Sequence, residues 1–337
     1  MLCVAIGLLP RSAFPQQAVA VQRLGPQVGQ GAPDFALQDQ FGRTQTLSSI
    51  MGPKGALLVF FRSADWCPYC KTQLMELQGR ANALRQQGLG LAAISYDTRA
   101  ILADFTKRRR ITYPLLSDPG SQTIKAYGIL NTTVQPTDET YGIPFPGTFD
   151  LKPSGEVSAR FFEEAYQERN SVSSILVRLG THVDAPARKL SNSHLDAVVY
   201  TTDEIVAPGA HIALVVEVTP KPRMHLYAPG NESYKPVNLS IAPQPAVSVA
   251  RLEFPPAHDY FYAPLKEHVK VYDRPFRLIQ DVVFDGTPQG VRQLGSIDRL
   301  TLTGRLDYQA CDDKVCFAPT SAALTWTFKV RKLDREP

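Results

Sequence analysis

At 337 residues the chain is long enough for two domains, each burying its own core. Apolar residues at 44% and charged residues at 20% exclude a disordered chain and a disulfide-dense mini-protein. The net charge of +4 is spread out, and its densest basic run, Lys107–Arg110, reads as a solvated helix face rather than a nucleic-acid patch.

In chain order, Leu2–Leu9 is a short apolar run, and Ala18-Val19-Ala20 has the small-x-small form of a signal-peptidase site. No basic segment precedes the run. At about eight residues it falls well short of the roughly 20 that span a bilayer, so residues 1–20 read as a signal peptide. Residues 26–33 read as a linker. Strands are expected at 34–37, 56–61, 89–96, 115–116, 147–151 and 156–161. Helices are expected at 71–87, 101–110, 121–127 and 171–179, and this alternation predicts a mostly parallel sheet covered on both faces. A linker follows at 182–194. From 195 to 333 the pattern changes to short alternating segments at 198–201, 211–218, 237–241, 277–283, 300–308 and 322–330. Pro- and Gly-rich turns separate them and no helical period appears, which predicts an antiparallel β-sandwich.

The five cysteines are Cys3, Cys67, Cys70, Cys311 and Cys316. Cleavage after Ala20 would remove Cys3 and leave two close pairs, read as two dithiol sites or two small staples. The first pair, in VFFRSADWCPYCKTQLMEL, lies where a buried strand meets a helix. There Cys67 would sit at the helix N-terminus, where free N–H groups and the positive dipole end stabilise a thiolate. Cys70, one turn on, is placed to resolve a mixed disulfide. A staple across two residues would stabilise little, and half a zinc site lacks further ligands, since residues 1–181 hold no His and no other cysteine but Cys3.

These residues resemble the thioredoxin and peroxiredoxin-like superfamily, including its AhpC/TSA redoxins, over about 30–165. The likeness rests on Trp66-Cys67-Pro68-Tyr69-Cys70 and on the later stretch GIPFPGTFDLKPSGEV. It implies a thioredoxin-like fold over 28–181 and Trp66 packed beside the thiols. It also implies Pro146 as a cis-proline facing them, with Pro144 as the rival. Three departures speak against peroxide chemistry: Ala64 stands where a peroxiredoxin has Thr or Ser, Phe60 replaces its Pro, and Phe145 precedes Pro146 in place of its Arg. A copper-chaperone role lacks its His ligand.

As a bare pattern, Cys311 and Cys316 are equally a hairpin staple or a redox pair. The segment from about 195 to 333 resembles the N-terminal, immunoglobulin-like domain of the thiol reductase DsbD, through Tyr308-Gln309-x-Cys311, then Cys316, Phe317 and Pro319. The resemblance implies an exchanging pair at Cys311/Cys316, a cap loop at Asp259–Tyr262 with Phe261 as its lid, and an aromatic strand at Met224–Tyr227. Asp312 and Asp313 would raise the thiol pKa values by like-charge repulsion, unless they are ordinary turn residues.

The expectation is an exported, periplasmic thiol–disulfide oxidoreductase: an α/β thioredoxin-like domain followed by an all-β immunoglobulin-like sandwich. It would use no cofactor, act on protein thiols and disulfides, need an external electron donor, and relay electrons between its pairs or pass them to a separate protein. The alternatives are a thiol peroxidase and a non-catalytic binding protein with two staples.

Overall fold

The computed structural model describes residues 20–336 apart from 182, 184, 232 and 263–265. The expected targeting segment, with Cys3, lies outside the described residues except for Ala20. No helix among those described is long and apolar enough to cross a membrane.

The N-terminal part runs β1 (Ala36–Asp39), β2 (Thr44–Thr46), α1 (Leu47–Ile50), β3 (Ala56–Phe60), α2 (Pro68–Gln86), β4 (Gly90–Ser95), α3 (Arg99–Arg109) and β5 (Leu115–Ser117). It continues with α4 (Gln122–Ala126), β6 (Gly147–Leu151), β7 (Val157–Phe162), β8 (Arg169–Asn170) and α5 (Val172–Arg178). Seven of its strands form one sheet in the order β2-β1-β5-β4-β3-β6-β7. Only β3/β4 and β4/β5 pair in parallel, while β1/β2, β1/β5, β3/β6 and β6/β7 are antiparallel. The sheet is therefore mixed rather than mostly parallel: tight turns, Pro153-Ser154-Gly155 among them, make β1/β2 and β6/β7 antiparallel, and β1/β5 and β3/β6 pair antiparallel across longer connections. The central strand β3, ALLVF, is buried on both faces, as a continuous apolar run requires.

The remainder is mostly β-sheet: β9 (Arg188–Ser191), β10 (Leu195–Thr201), β11 (Ile205–Val206), β12 (Ala210–Pro220), β13 (His225–Tyr227), β14 (Asn238–Ile241), β15 (Val247–Val249), β16 (His258–Tyr262), β17 (Glu267–Tyr272), β18 (Phe276–Phe284), α6 (Pro288–Gly295), β19 (Arg299–Tyr308), β20 (Ala310–Cys311) and β21 (Thr320–Val330). One sheet runs β15-β18-β12-β10-β9, a second β11-β21-β19-β14, and a third, smaller one β16-β17-β13-β20. Leu214, Val216 and Val218 of β12 share a core with Leu302, Leu324 and Trp326 of the second sheet.

Two expectations need correcting here. The supposed linker contains β9, which pairs along β10 from Asp196 to Val199. The β region also holds a helix, α6, capped by the Thr287 hydroxyl, which accepts from Gly290 N, with Pro288 at its first position. Its Thr-Pro start was the legible signal; a single turn-and-a-half of buried face, at Gly290 and Leu294, was too short to show a period.

The two parts are docked along a broad contact. Alternate residues of β12 face opposite ways, so Ala213 and Val215 leave the β core and join Leu74, Leu77, Ile175 and Leu176 of α2 and α5. The chain of the N-terminal part adds β8 to the β12 sheet, with Ala210 opposite Arg169 and His211 opposite Asn170. The C-terminus returns to clamp the pair: Arg109 donates two hydrogen bonds of 2.9 Å to the buried Asp334 carboxylate.

Candidate active site

Strand β3 delivers the chain to a loop, Phe61–Trp66, that ends at the start of α2. A buried carboxylate holds this loop. Asp97 accepts from the Ser63 hydroxyl at 2.8 Å, the Ala64 N–H at 2.7 Å and the Ser95 hydroxyl at 2.9 Å. Burial pushes the Asp97 pKa up, against the pull of these hydrogen bonds. Cys67 is the N-cap of α2, and its sulfur accepts from the Cys70 N–H at 3.3 Å. Pro68 takes the first helical position, where no N–H is needed. Cys67 and Cys70 are disulfide-bonded, and both are buried, at 1% and 0% exposure.

Trp66 stands beside them, 37% exposed, its indole N–H donating to the Tyr96 hydroxyl at 3.0 Å. The Arg62 guanidinium lies between the rings of Trp66, at 4.8 Å, and Tyr166, at 4.6 Å. Pro146 is buried and immediately precedes Gly147, whose partners in the sheet are Phe60 and Phe162, so it lies at the dithiol end of the sheet. The cis expectation for Pro146 is corrected: the described residues contain no cis peptide bond. The backbone there follows the bridge of Leu130 with Pro144 and the Phe145 N–H bond to Ile129 O, 2.8 Å, which carry the segment straight into β6.

Three site residues were not legible in the sequence. Asp97 sits in an ordinary post-strand turn, SYDTR. Tyr69, between the cysteines, donates its hydroxyl to Gly286 O of the β part at 2.5 Å. Arg169, in the polar run YQERN, is buried with its Nη2 3.6 Å from Cys70 Sγ. Removing the Tyr69 hydroxyl should weaken the docking by about 1 kcal/mol, the net worth of one hydrogen bond. Tyr69→Phe is therefore expected to speed alkylation of the reduced Cys67 several-fold. An unchanged rate would mean that the β part does not cover the thiol.

The second pair, Cys311–Cys316, is also disulfide-bonded. Cys311 is opposite His225 in the β13/β20 pairing. The Tyr227 hydroxyl lies 3.1 Å from Cys311 Sγ and 3.4 Å from Cys316 Sγ, and its ring stacks on Tyr234 at 3.9 Å. Burial, with Tyr234 close by, pushes the Tyr227 pKa up and keeps its proton in place. Tyr260 and Tyr262 face this cluster, and the buried His225 ring packs 4.6 Å from Tyr260.

Phe261 does not cover the disulfide. Strand alternation turns it to the other face of β16, where it is 51% exposed and meets His268 at 5.1 Å. The cover comes from its neighbours Tyr260 and Tyr262. Asp312 accepts from the N–H groups of Lys314 and Val315, which hold its pKa down, so it is a turn-forming residue. Asp313 accepts from the Tyr260 hydroxyl.

Residues 28–160 match the AhpC/TSA family. The N-terminal part carries a thioredoxin-like redoxin domain. Chloroplastic peroxiredoxin Q of Oryza sativa subsp. japonica is 29% identical over 142 residues, 42% of this chain and 62% of that protein. The thiol-disulfide oxidoreductase ResA of Bacillus subtilis is 27% identical over 130 residues, 38% of this chain and 64% of that protein. The chain thus spans less than two thirds of the length of either relative. The solved structure of peroxidoxin BcpB from Mycobacterium tuberculosis is also similar: 24% identity, 42% of this chain, 89% of that chain, TM-score 0.37. These likenesses support an oxidoreductase, and the redoxin domain here carries its two cysteines where a helix begins.

Proposed function

We propose that the protein is an exported, periplasmic thiol–disulfide oxidoreductase acting on protein thiols and disulfides, with electrons from an external donor. The observation that carries this reading is Cys67 at the N-cap of α2, its sulfur already accepting the Cys70 N–H. That hydrogen bond and the helix terminus favour a thiolate at Cys67 once the disulfide is open. The thiolate attacks one sulfur of a substrate disulfide, and the other sulfur leaves as a thiolate. Cys70 then attacks Cys67, the Cys67–Cys70 bond forms, and the second substrate thiolate leaves. Two electrons pass to the substrate, and water protonates the leaving groups.

We read the β part as a DsbD-like, immunoglobulin-like domain whose pair Cys311/Cys316 exchanges with a partner of its own. Geometry supports a separate partner over a relay in the docked arrangement. Tyr69, between the first two cysteines, touches Gly286, beside the Ala210 end of β12. The second pair lies at the other end: Lys221 N bonds to His194 O, and the His194 ring packs 4.7 Å from Phe317, next to Cys316. From Ala210 to Pro220 a strand spans roughly 33 Å.

A redox titration against glutathione, with each pair followed by alkylation and mass spectrometry, tests the reading. Cys67–Cys70 is expected to titrate between about −270 and −200 mV, the range from thioredoxin to glutaredoxins. If both pairs stayed oxidised throughout, they would be staples. Consumption of peroxide at a fast second-order rate would instead support the thiol peroxidase that the peroxiredoxin Q likeness suggests.

A further inference from the structure

Arg169 is a buried cation that forms no ion pair with a carboxylate among the described residues. Its Nε donates to Gln73 Oε1 at 3.1 Å, and Nη1 donates to the carbonyls of Tyr166, at 2.5 Å, and Glu168, at 2.6 Å. No carboxylate among the described residues lies within ion-pair distance of it, and the hydrogen-bond partner of Nη2 is Cys70 Sγ. Burial draws the Arg169 pKa down to about 9, with Arg62 adding to the effect and the more distant Glu163, with Tyr69 and Tyr166, opposing it. An unpaired buried charge is costly, so this placement needs a reason.

The backbone supplies the means of holding it. Arg169 lies in β8, the short strand that the redoxin domain lends to the other sheet, and its N–H donates to Gly209 O at 2.8 Å. Gly209 has φ +85°, and a Cβ there would meet Gln167 O at 2.2 Å, so the contact is fitted to glycine. The β part therefore fixes the guanidinium against the inner sulfur of the dithiol.

We propose that Arg169 is a further catalytic residue: its guanidinium, held by the strand that joins the two parts, pairs with the Cys70 thiolate once the disulfide opens. This deepens the oxidoreductase reading and rests on it. When two glutathione thiols reduce the pair, they form one glutathione disulfide and deliver two electrons. The Cys67–Cys70 bond is replaced by two thiols, and the Cys70 proton passes to water while Arg169 balances the charge. The reduced form gains an ion pair that the disulfide cannot make. The same pairing raises the thiolate fraction at Cys70, the form that attacks Cys67 in a mixed disulfide.

The test uses the full chain as Cys3→Ser/Cys67→Ser, with Cys311–Cys316 left oxidised, so that Cys70 is the sole thiol. Thiolate absorbance near 240 nm is followed against pH, with and without Arg169→Met. With Arg169 present, Cys70 is expected to titrate below about 8.5, the ordinary thiol value, although it is buried. Arg169→Met is expected to raise the midpoint by a unit or more. In the otherwise wild-type chain, the same substitution should lower the equilibrium constant for reduction by glutathione about tenfold, or about 30 mV.

A Cys70 midpoint above that ordinary value with Arg169 in place, or one unmoved by Arg169→Met, overturns the proposal. If Arg169→Met does not fold, the titration of the Arg169-bearing chain decides alone. A wild-type first pair that glutathione never reduces would sink the oxidoreductase reading instead. A reducible pair with a high Cys70 midpoint would sink only the role of Arg169.

Discussion

Cys67→Ser is expected to reduce turnover of a model protein disulfide, with dithiothreitol as reductant, to the uncatalysed rate. A serine hydroxyl in the same N-cap keeps the hydrogen bond to the Cys70 N–H, and Ser is itself a favourable cap. The fold should survive, and only the nucleophile is lost, because the thiolate carries exchange chemistry. Cys70→Ser should behave differently: the first attack still proceeds, and a mixed disulfide at Cys67 accumulates, visible as added mass that reductant removes. Exchange at Cys311–Cys316 should be unaffected by either change, since that pair lies at the far end of β12. Retained turnover in Cys67→Ser with loss in Cys70→Ser would reverse the assigned roles. Because Cys67 is 1% exposed, a macromolecular disulfide also needs the surrounding contacts to yield before attack.

The redoxin core was legible because its signals are local. ALLVFF is a continuous apolar run, Gly88 stops α2, and β6 falls within its expected bounds at Gly147–Leu151. The dithiol was legible for the same reason: the cysteines are three positions apart at a strand–helix junction. The strand β12 was also read as a strand, yet its sequence, AHIALVVEVTP, conceals its larger consequence. An apolar residue at every position from Ile212 to Val216 means burial on both faces, and nothing local says that the second cover is a helix pair of another domain. Docking, β8 and Arg169 all follow from that long-range contact.

Phe261 shows the opposite failure. A family likeness chose the phenylalanine, while the two-residue period of a strand turns Tyr260 and Tyr262 toward the sulfurs together and Phe261 away. The pairing of β16 with β17 sets that facing, with Tyr260 opposite Val269 and Phe261 opposite His268. Segment 182–194 misled in another way. Its polar residues suit an edge strand as well as a linker, and only the register with β10 distinguishes them.

Alkaline pH is expected to loosen the docked arrangement, and Glu76 supplies the largest part. Glu76 lies nearly two turns beyond Cys70 on α2, on a pocket between the two parts that Asp203, Arg169 and Arg331 also line. Burial, then the neighbouring Asp203 carboxylate, pushes its pKa from 4.5 up to about 8, while the Val172 N–H, Arg80 and Arg331 oppose the rise. Asp203 is itself raised by burial, so the two acids disfavour a shared double charge. Since the folded pKa exceeds the unfolded one, stability is fully present below about 4.5 and is lost as pH rises to about 8. The shift sets a ceiling of about 5 kcal/mol at about 1.36 kcal/mol per unit. Glu76 is only partly buried, and solvent at its side chain brings the expected effect down to on the order of 2 kcal/mol. His211 adds a second window at the same interface. Burial disfavours its charged form, but Asp281 and Glu163 outweigh this and raise its pKa to about 9, so its contribution fades from 6.5 to about 9. Urea midpoints measured at pH 5, 7 and 9 should therefore fall with pH. Glu76→Gln should flatten the fall below pH 8 and leave the variant more stable than wild type there. Equal slopes in the two proteins would mean that Glu76 is ionised in the folded state, and that the cavity is wet enough to hold its charge.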